Sequence, residues 1–191
     1  MGRWEPDARG RLAAAALELY GERGYEQTTV AEIARRAGLT ERTFFRHYAD
    51  KREVLFDGSD TLLRLFTDAV AGAPAGTAPL DAVAAALDAA AEFFTDRRDH
   101  SRRRQAVIAA HAELRERELI KLASIASALT EALMGRGVAQ PAAALSAEAG
   151  VAVFKIGFER WVGAEEDAPM ARLLRETLEA LREIAGDELA E

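Results

Sequence analysis

The chain has 191 residues, 25 Lys/Arg against 32 Asp/Glu for a net charge of −7, and no cysteine. That length admits one large domain or a small one followed by a larger. The missing cysteines exclude disulfide frameworks, thiolate metal sites and thiol nucleophiles.

Residues 1–10 carry Arg3, Glu5, Asp7 and Arg9 and so lack the apolar run of a secretion signal, and no later stretch reads as a membrane span. A soluble, cytoplasmic chain with no membrane partner is expected. Its charge is uneven: residues 1–52 hold ten Lys/Arg against eight Asp/Glu, whereas the remainder carries −9. A basic head on an acidic body suits binding to phosphates, although ordinary surface scatter produces such an imbalance as well.

Apolar residues recur at helical spacing nearly everywhere and β-branched residues are sparse, so the fold is read as all-α. Leu12, Ala16, Leu19 and Tyr20 form the inner stripe of a first helix that stops at Gly24, with Tyr25 folding back on its last turn. Thr29 and Glu32 then make a capping box for a short second helix with Ile33, Ala34 and Ala37 inward. Gly38 ends it, Leu39 enters the core and Thr40 caps a third helix over residues 41–48, held by Phe44 and Tyr48. Two short helices joined by so tight a turn define a helix-turn-helix. Arg42, Thr43, Arg46 and His47 face outward, a set of donors suited to guanine edges and phosphate oxygens in a major groove. Asp50 with Glu53 caps a following helix that begins at Lys51, where a cation opposes the helix dipole and points to phosphate contact.

Val54, Leu55, Leu62, Leu65, Phe66 and Ala69 stripe that next helix up to a Gly/Pro/Ala loop at 72–79. Helix is expected across 80–134 with a turn in 95–101, and Leu119, Leu122, Ile125, Leu129 and Leu133 give it one buried face. Gly135 and Gly137 end it; Pro141 and Pro169 begin the last two helices. The first of these is strongly apolar, through Leu145, Val153, Phe154, Ile156, Phe158, Trp161 and Val162. The second carries Leu173, Leu174, Leu178, Leu181 and Ile184. Periodicity alone permits an ordinary monomer core here.

The order and spacing of Gly24-Tyr25, Thr28-Thr29, Ile33-Ala34, Ala37-Gly38, Thr40, Thr43-Phe44-Phe45 and His47-Tyr48 through Lys51 resemble the N-terminal signature of the tetracycline-repressor (TetR) type regulators. The resemblance covers about the first quarter of the chain. It implies a helix-turn-helix DNA-binding domain over 1–52, followed by a helical ligand-binding and dimerisation domain over 53–191. It also implies a homodimeric repressor that a small-molecule effector releases from a double-stranded DNA operator. DNA contact would fall to Thr29, Thr40, Thr43, Phe45, His47 and Lys51, with Arg42 and Arg46 supplying sequence preference. Phe45 stands where the family commonly has Tyr, so it offers apolar contact in place of a phenolic hydrogen bond.

For the effector, a largely apolar molecule, the candidate lining is Phe93, Phe94, Arg104, Ile108, His111, Phe154, Phe158 and Trp161, each of which is equally at home in a core. Arg104 belongs to the run Arg102-Arg103-Arg104, which reads either as an anion site or as a solvated helix start. Phe154, Phe158, Leu173, Leu174, Leu178 and Leu181 are the expected dimer seam. No cofactor, metal or catalytic residue is expected. The spacing of His111 and Glu113 does not match a helical zinc site, and no phosphate loop or nucleophile motif occurs. A helical module that meets protein through residues 41–48 remains the alternative to DNA binding.

Overall fold

A computed structural model describes residues 7–165 and 168–187, all of its regular elements being helical. In chain order these are α1 (Ala8–Arg23), α2 (Val30–Arg36), α3 (Glu41–His47), a 3-10 turn (Glu53–Phe56), α4 (Ser59–Gly72), α5 (Pro79–Phe93), α6 (Arg98–Ala110), α7 (Ala112–Gly135), α8 (Gln140–Gly163) and α9 (Met170–Asp187). The all-α reading holds.

The helix expected from Lys51 onward is interrupted. Residues 53–56 form the 3-10 turn, Asp57 leaves helical geometry, and Gly58 takes φ +89°, so α4 starts only at Ser59. Val54, Leu55 and Phe56 are all buried along this turn.

The chain divides into two compact units. The first comprises residues up to Gly58 together with Arg103–Glu118, and the second comprises Ser59–Arg102 and Leu119 onward. The first unit thus runs past residue 52 and recruits a segment from the middle of the sequence. Its core joins Leu12, Leu19, Tyr20, Ile33 and Phe44 to Val54, Leu55, Ile108 and Leu114. No local signal in 103–118 announces this, because burial of Ile108 and Leu114 is decided by distant residues. The chain crosses between the units three times, at 58/59, 102/103 and 118/119, rather than once.

In the second unit α5 lies against α4, α8 and α9, and α8 against α9. Small residues permit the close approach. A Cβ on Gly150 would stand 2.3 Å from Val83 Cγ1, and one on Gly157 would stand 2.5 Å from Leu174 Cδ2. Helix α8 is, contrary to the sequence expectation, long and apolar enough by length and composition to cross a membrane. Here it is a core helix: Ala143, Ala147, Val153, Phe154, Phe158 and Trp161 are all buried in the second unit. Two of its large apolar residues, Leu145 and Ile156, are not. Leu145 is 72 % exposed and Ile156 48 %, as Ile184 on α9 is 71 % and Leu119 on α7 57 %, so the stripes drawn from sequence were too wide.

Gly150→Ala should destabilise the chain by about 1–3 kcal/mol, because the stiff, β-branched Val83 cannot yield to the added methyl. Gly21→Ala, where an added methyl would meet open space, should stabilise α1 by up to about 1 kcal/mol through helix propensity. Chemical denaturation of the two variants checks both signs.

Candidate nucleic-acid interface

The interface is assembled from three helix starts whose caps all form. Asp7 accepts from Gly10 N at 2.9 Å to begin α1. In the capping box of α2, Glu32 N donates to Thr29 Oγ1 at 3.3 Å and Thr29 N donates to Glu32 Oε2 at 3.0 Å. Thr40 Oγ1 accepts from Thr43 N at 3.2 Å to begin α3. Between α2 and α3 the chain turns at Gly38, φ +68°, and Leu39 N closes the turn on Ala34 O at 2.8 Å. Arg11 of α1 donates to Ala37 O, so the turn is fixed from a third helix.

Helix α3 is held by its inner face. Phe44 is fully buried, and Tyr48 is buried with its hydroxyl donating to Arg9 O at 3.1 Å. Arg42, Phe45 and Arg46 project to solvent, Phe45 with 56 % of its surface exposed. Thr43 is half-buried and shares a 3.1 Å hydrogen bond with the exposed Thr40. These five residues lie together, as the periodicity of α3 requires. Thr29 is exposed at the start of α2, with its hydroxyl also bonded to Glu32 Oε2 at 3.0 Å.

Two expected contacts are placed otherwise. His47 is half-buried, and its Nε2 is enclosed with no hydrogen-bond partner, so that nitrogen does not face the solvent side of α3. Lys51 turns inward. Its Nζ donates to Tyr25 O at 2.8 Å, Thr28 O at 3.1 Å and Glu26 O at 3.2 Å, and lies 4.4 Å from the centre of the Tyr25 ring. All three N–H groups of the ammonium are thereby used. No α-helix begins at Lys51, so no helix dipole opposes its charge there; the cation meets the carbonyls of the α1–α2 loop. Tyr20 ties the same segment by donating to Lys51 O at 2.7 Å.

Sequence reasoning did not find the residues that position this face from afar. Arg36 forms a two-pronged pair with Glu22 at 2.8 and 2.9 Å, fixing α2 on α1, and Glu32 accepts from Arg23 at 2.7 Å. Donation from the Thr29 backbone, then from its hydroxyl, holds the Glu32 carboxyl below its ordinary range. Burial raises the Tyr25 phenol well above its ordinary value, aided by its hydrogen bond with Glu113.

The expected effector residues separate into two groups. Phe94, Phe154, Phe158 and Trp161 make one aromatic cluster in the second unit, with Phe93 edge-on to Phe94 at 5.0 Å. Arg104, Ile108 and His111 belong instead to the first unit. Ile108 is core; His111 lies 5.0 Å from the Tyr25 ring and 3.8 Å from Glu26. Arg104 donates to Leu55 O at 2.5 Å and pairs with Glu118 at 3.1 Å, so it holds protein groups rather than presenting a free anion site. Burial lowers its pKa. Of the residues expected at a dimer seam, Phe154, Phe158, Leu173, Leu174 and Leu178 are buried within the single chain, and Leu181 is packed against them. An open cleft of about 810 Å³ does exist in the second unit, and of the eight expected lining residues it takes in only Phe94 and Trp161.

Residues 12–57 match the family model for bacterial regulatory proteins of the tetR family, and residues 77–185 match the MftR C-terminal domain. The chain belongs to the TetR family of regulators. It is 42 % identical over 81 residues to the HTH-type transcriptional regulator TcmR of Streptomyces glaucescens, an alignment covering 42 % of this chain and 36 % of that protein. It is 30 % identical over 114 residues to the putative mycofactocin biosynthesis transcriptional regulator MftR of Mycobacterium tuberculosis, covering 60 % of this chain and 58 % of the relative. The matches thus span about a third to three-fifths of these relatives' lengths. Among solved structures, the putative TetR-family regulator from Syntrophomonas wolfei superposes with a TM-score of 0.64 at 16 % identity, covering 94 % of this chain and 95 % of the other. The regulator FadR from Bacillus subtilis, in complex with stearoyl-CoA, gives 0.63 at 17 % identity, covering 90 % and 96 %. TetR-family members are transcriptional regulators and not enzymes.

Two outcomes follow for the head of this TetR-family chain. Lys51→Ala should lower the denaturation midpoint, by about 1–3 kcal/mol for the carbonyls left without a donor. An unchanged midpoint with uniformly weaker DNA binding would restore the phosphate role. The cap of α2 should loosen in acid. Because the folded Glu32 value lies below the unfolded one, its stabilisation is present above about pH 4.3 and fades as pH falls through the folded value. Protection factors at Thr29 and Glu32, corrected for intrinsic exchange, should therefore fall as the pH drops below about 4.3, and Glu32→Gln should abolish that dependence.

Proposed function

We propose that this chain is a cytoplasmic, homodimeric, DNA-binding repressor that a small-molecule effector releases from its operator. The observation that carries the reading is the outward face of α3. Arg42, Phe45 and Arg46 stand in solvent on a helix whose opposite face, Phe44 and Tyr48, is fully committed to the core. An exposed aromatic between two guanidiniums has no packing reason in a single chain. A major groove supplies partners for all three, guanine edges or phosphates for the arginines and thymine methyls for the ring. Thr29, Thr40 and Thr43 extend this surface, and His47 joins it on rotation of its ring.

A single helix of seven residues buries too little to hold DNA alone, which is the physical reason for two copies. We place the seam on the outer face of α8, where Leu145 and Ile156 stand among the exposed Ala142 and Ala152, with Ile184 of α9 alongside. That face replaces Phe154, Phe158, Leu174 and Leu178, which already have partners. The effector reading draws on the FadR structure solved with stearoyl-CoA and on the open cleft of the second unit. Release then requires that ligand favour the DNA-incompetent state, and DNA must weaken the ligand by the same factor. The three chain crossings between the units are the covalent routes for that coupling.

Arg42→Ala and Arg46→Ala should keep the circular dichroism spectrum of the parent and weaken a selected operator by about 1–3 kcal/mol each. Loss of affinity that is equal on every DNA sequence would deny them base contacts. Ile156→Glu should convert a dimer to a monomer in sedimentation without unfolding it, and a parent that sediments as a monomer at micromolar concentration removes the seam altogether.

A further inference from the structure

The cleft of the second unit has a chemistry of its own. The half-buried Phe94 lines it together with the buried Trp161 and Met170. Asp88 and Glu92 stand one turn apart on α5, and Asp96 follows in the turn after it. Among the described residues none of these three carboxylates makes an ion pair or a side-chain hydrogen bond, although like charges one turn apart repel. Glu165 lines the cleft from the end of α8.

Three arginines, Arg98, Arg102 and Arg175, line the cleft against the five carboxylates Asp88, Glu92, Asp96, Asp99 and Glu165, and two of the three are committed to backbone carbonyls. Arg98 donates to Trp161 O at 3.0 Å and to Ala164 O, and Arg102 donates to Val162 O at 2.8 Å and to Ala164 O at 2.9 Å. Both guanidiniums are thus directed to the negative end of the α8 dipole, whose last carbonyls they cap. Unpaired carboxylates beside the half-buried Phe94 ring favour an organic cation, which gains from both the charges and the aromatic surface. A cation–π contact already occurs one residue from the cleft, Arg97 lying 4.3 Å from the Phe93 ring centre. An acyl-CoA would bring several phosphate charges against the same carboxylates.

We infer that this cleft takes a cationic amphiphile, an organic cation with aromatic or aliphatic bulk. The inference rests on the effector reading above and names the ligand class for it. A volume of about 810 Å³ suits a molecule of that size.

Calorimetry of the full chain with tetraphenylphosphonium and with its isosteric anion tetraphenylborate separates charge from shape. The cation should bind at one site per chain and at least about tenfold more tightly than the anion. The double variant Asp88→Asn/Glu92→Gln, whose side chains are exposed, should keep its circular dichroism and lose at least about fivefold in cation affinity. Equal or tighter binding of the anion, absence of cation binding, or an unchanged affinity in the double variant overturns the inference. Operator release is measured apart, on a duplex selected from a random library. Cation binding that leaves operator affinity unchanged removes the effector role and keeps the ligand class. Release by stearoyl-CoA without cation binding keeps the effector role and overturns the class.

Discussion

Every helix ends on carbonyls that its own backbone cannot satisfy, and at several ends in this chain cationic side chains from distant elements satisfy them. Lys51 serves the loop after α1, Arg11 the end of α2, Arg104 the 3-10 turn, Arg136 the end of α4, and Arg98 with Arg102 the end of α8. Arg136, for example, donates to Ala73 O at 2.7 Å and Pro74 O at 2.8 Å. Such contacts combine a charge-assisted hydrogen bond with the favourable end of the helix dipole. They also reach across the chain, by 26 residues for Lys51 to Tyr25 and 63 for Arg98 to Trp161, so each one fixes where a helix stops and what lies beside it.

The reading head depends on this device more than the body does. Helices of seven residues are unstable alone, and α2 and α3 have only one or two buried residues each within their bounds. What keeps them in register is the set of caps, the Arg36–Glu22 pair and the clamp of Lys51 on residues 25–28. The outer face of α3 is thereby left free of structural duty. Arg42, Phe45 and Arg46 can vary in identity with little cost to the fold, which is the freedom a sequence-reading surface needs.

In the body the same economy shapes the cleft. Glycines 150 and 157 let α8 close on α5 and α9, filling the interior with Phe66, Phe94, Phe154 and Phe158. Space remains where α8 ends, beside the side chains that cap its last carbonyls. Aromatic residues that a sequence presents as pocket lining are for the most part the packed interior itself, and the accessible concavity is bounded by polar residues.

The sequence by itself determined what is local. The caps at Thr29, Thr40 and Asp50 formed because a hydroxyl or carboxylate reaches a backbone N–H two or three residues ahead, and the turn at Gly38 formed because glycine accepts a positive φ at no steric cost. Inner and outer faces of α1 to α3 were legible for the same reason, apart from His47, the helical repeat being a property of the chain. Tertiary structure alone decided the fate of residues whose partners are remote. Lys51 reads as a free cation until the α1–α2 loop is folded beside it, Arg104 reads as an anion site until Leu55 and Glu118 surround it, and Ile108 joins the core of the head although it lies fifty residues from the end of that unit's first segment. A hydrophobic stripe shows that a face will be buried, not against what. Leu174 and Leu178 satisfied theirs within one chain, and Leu145 and Ile156 did not.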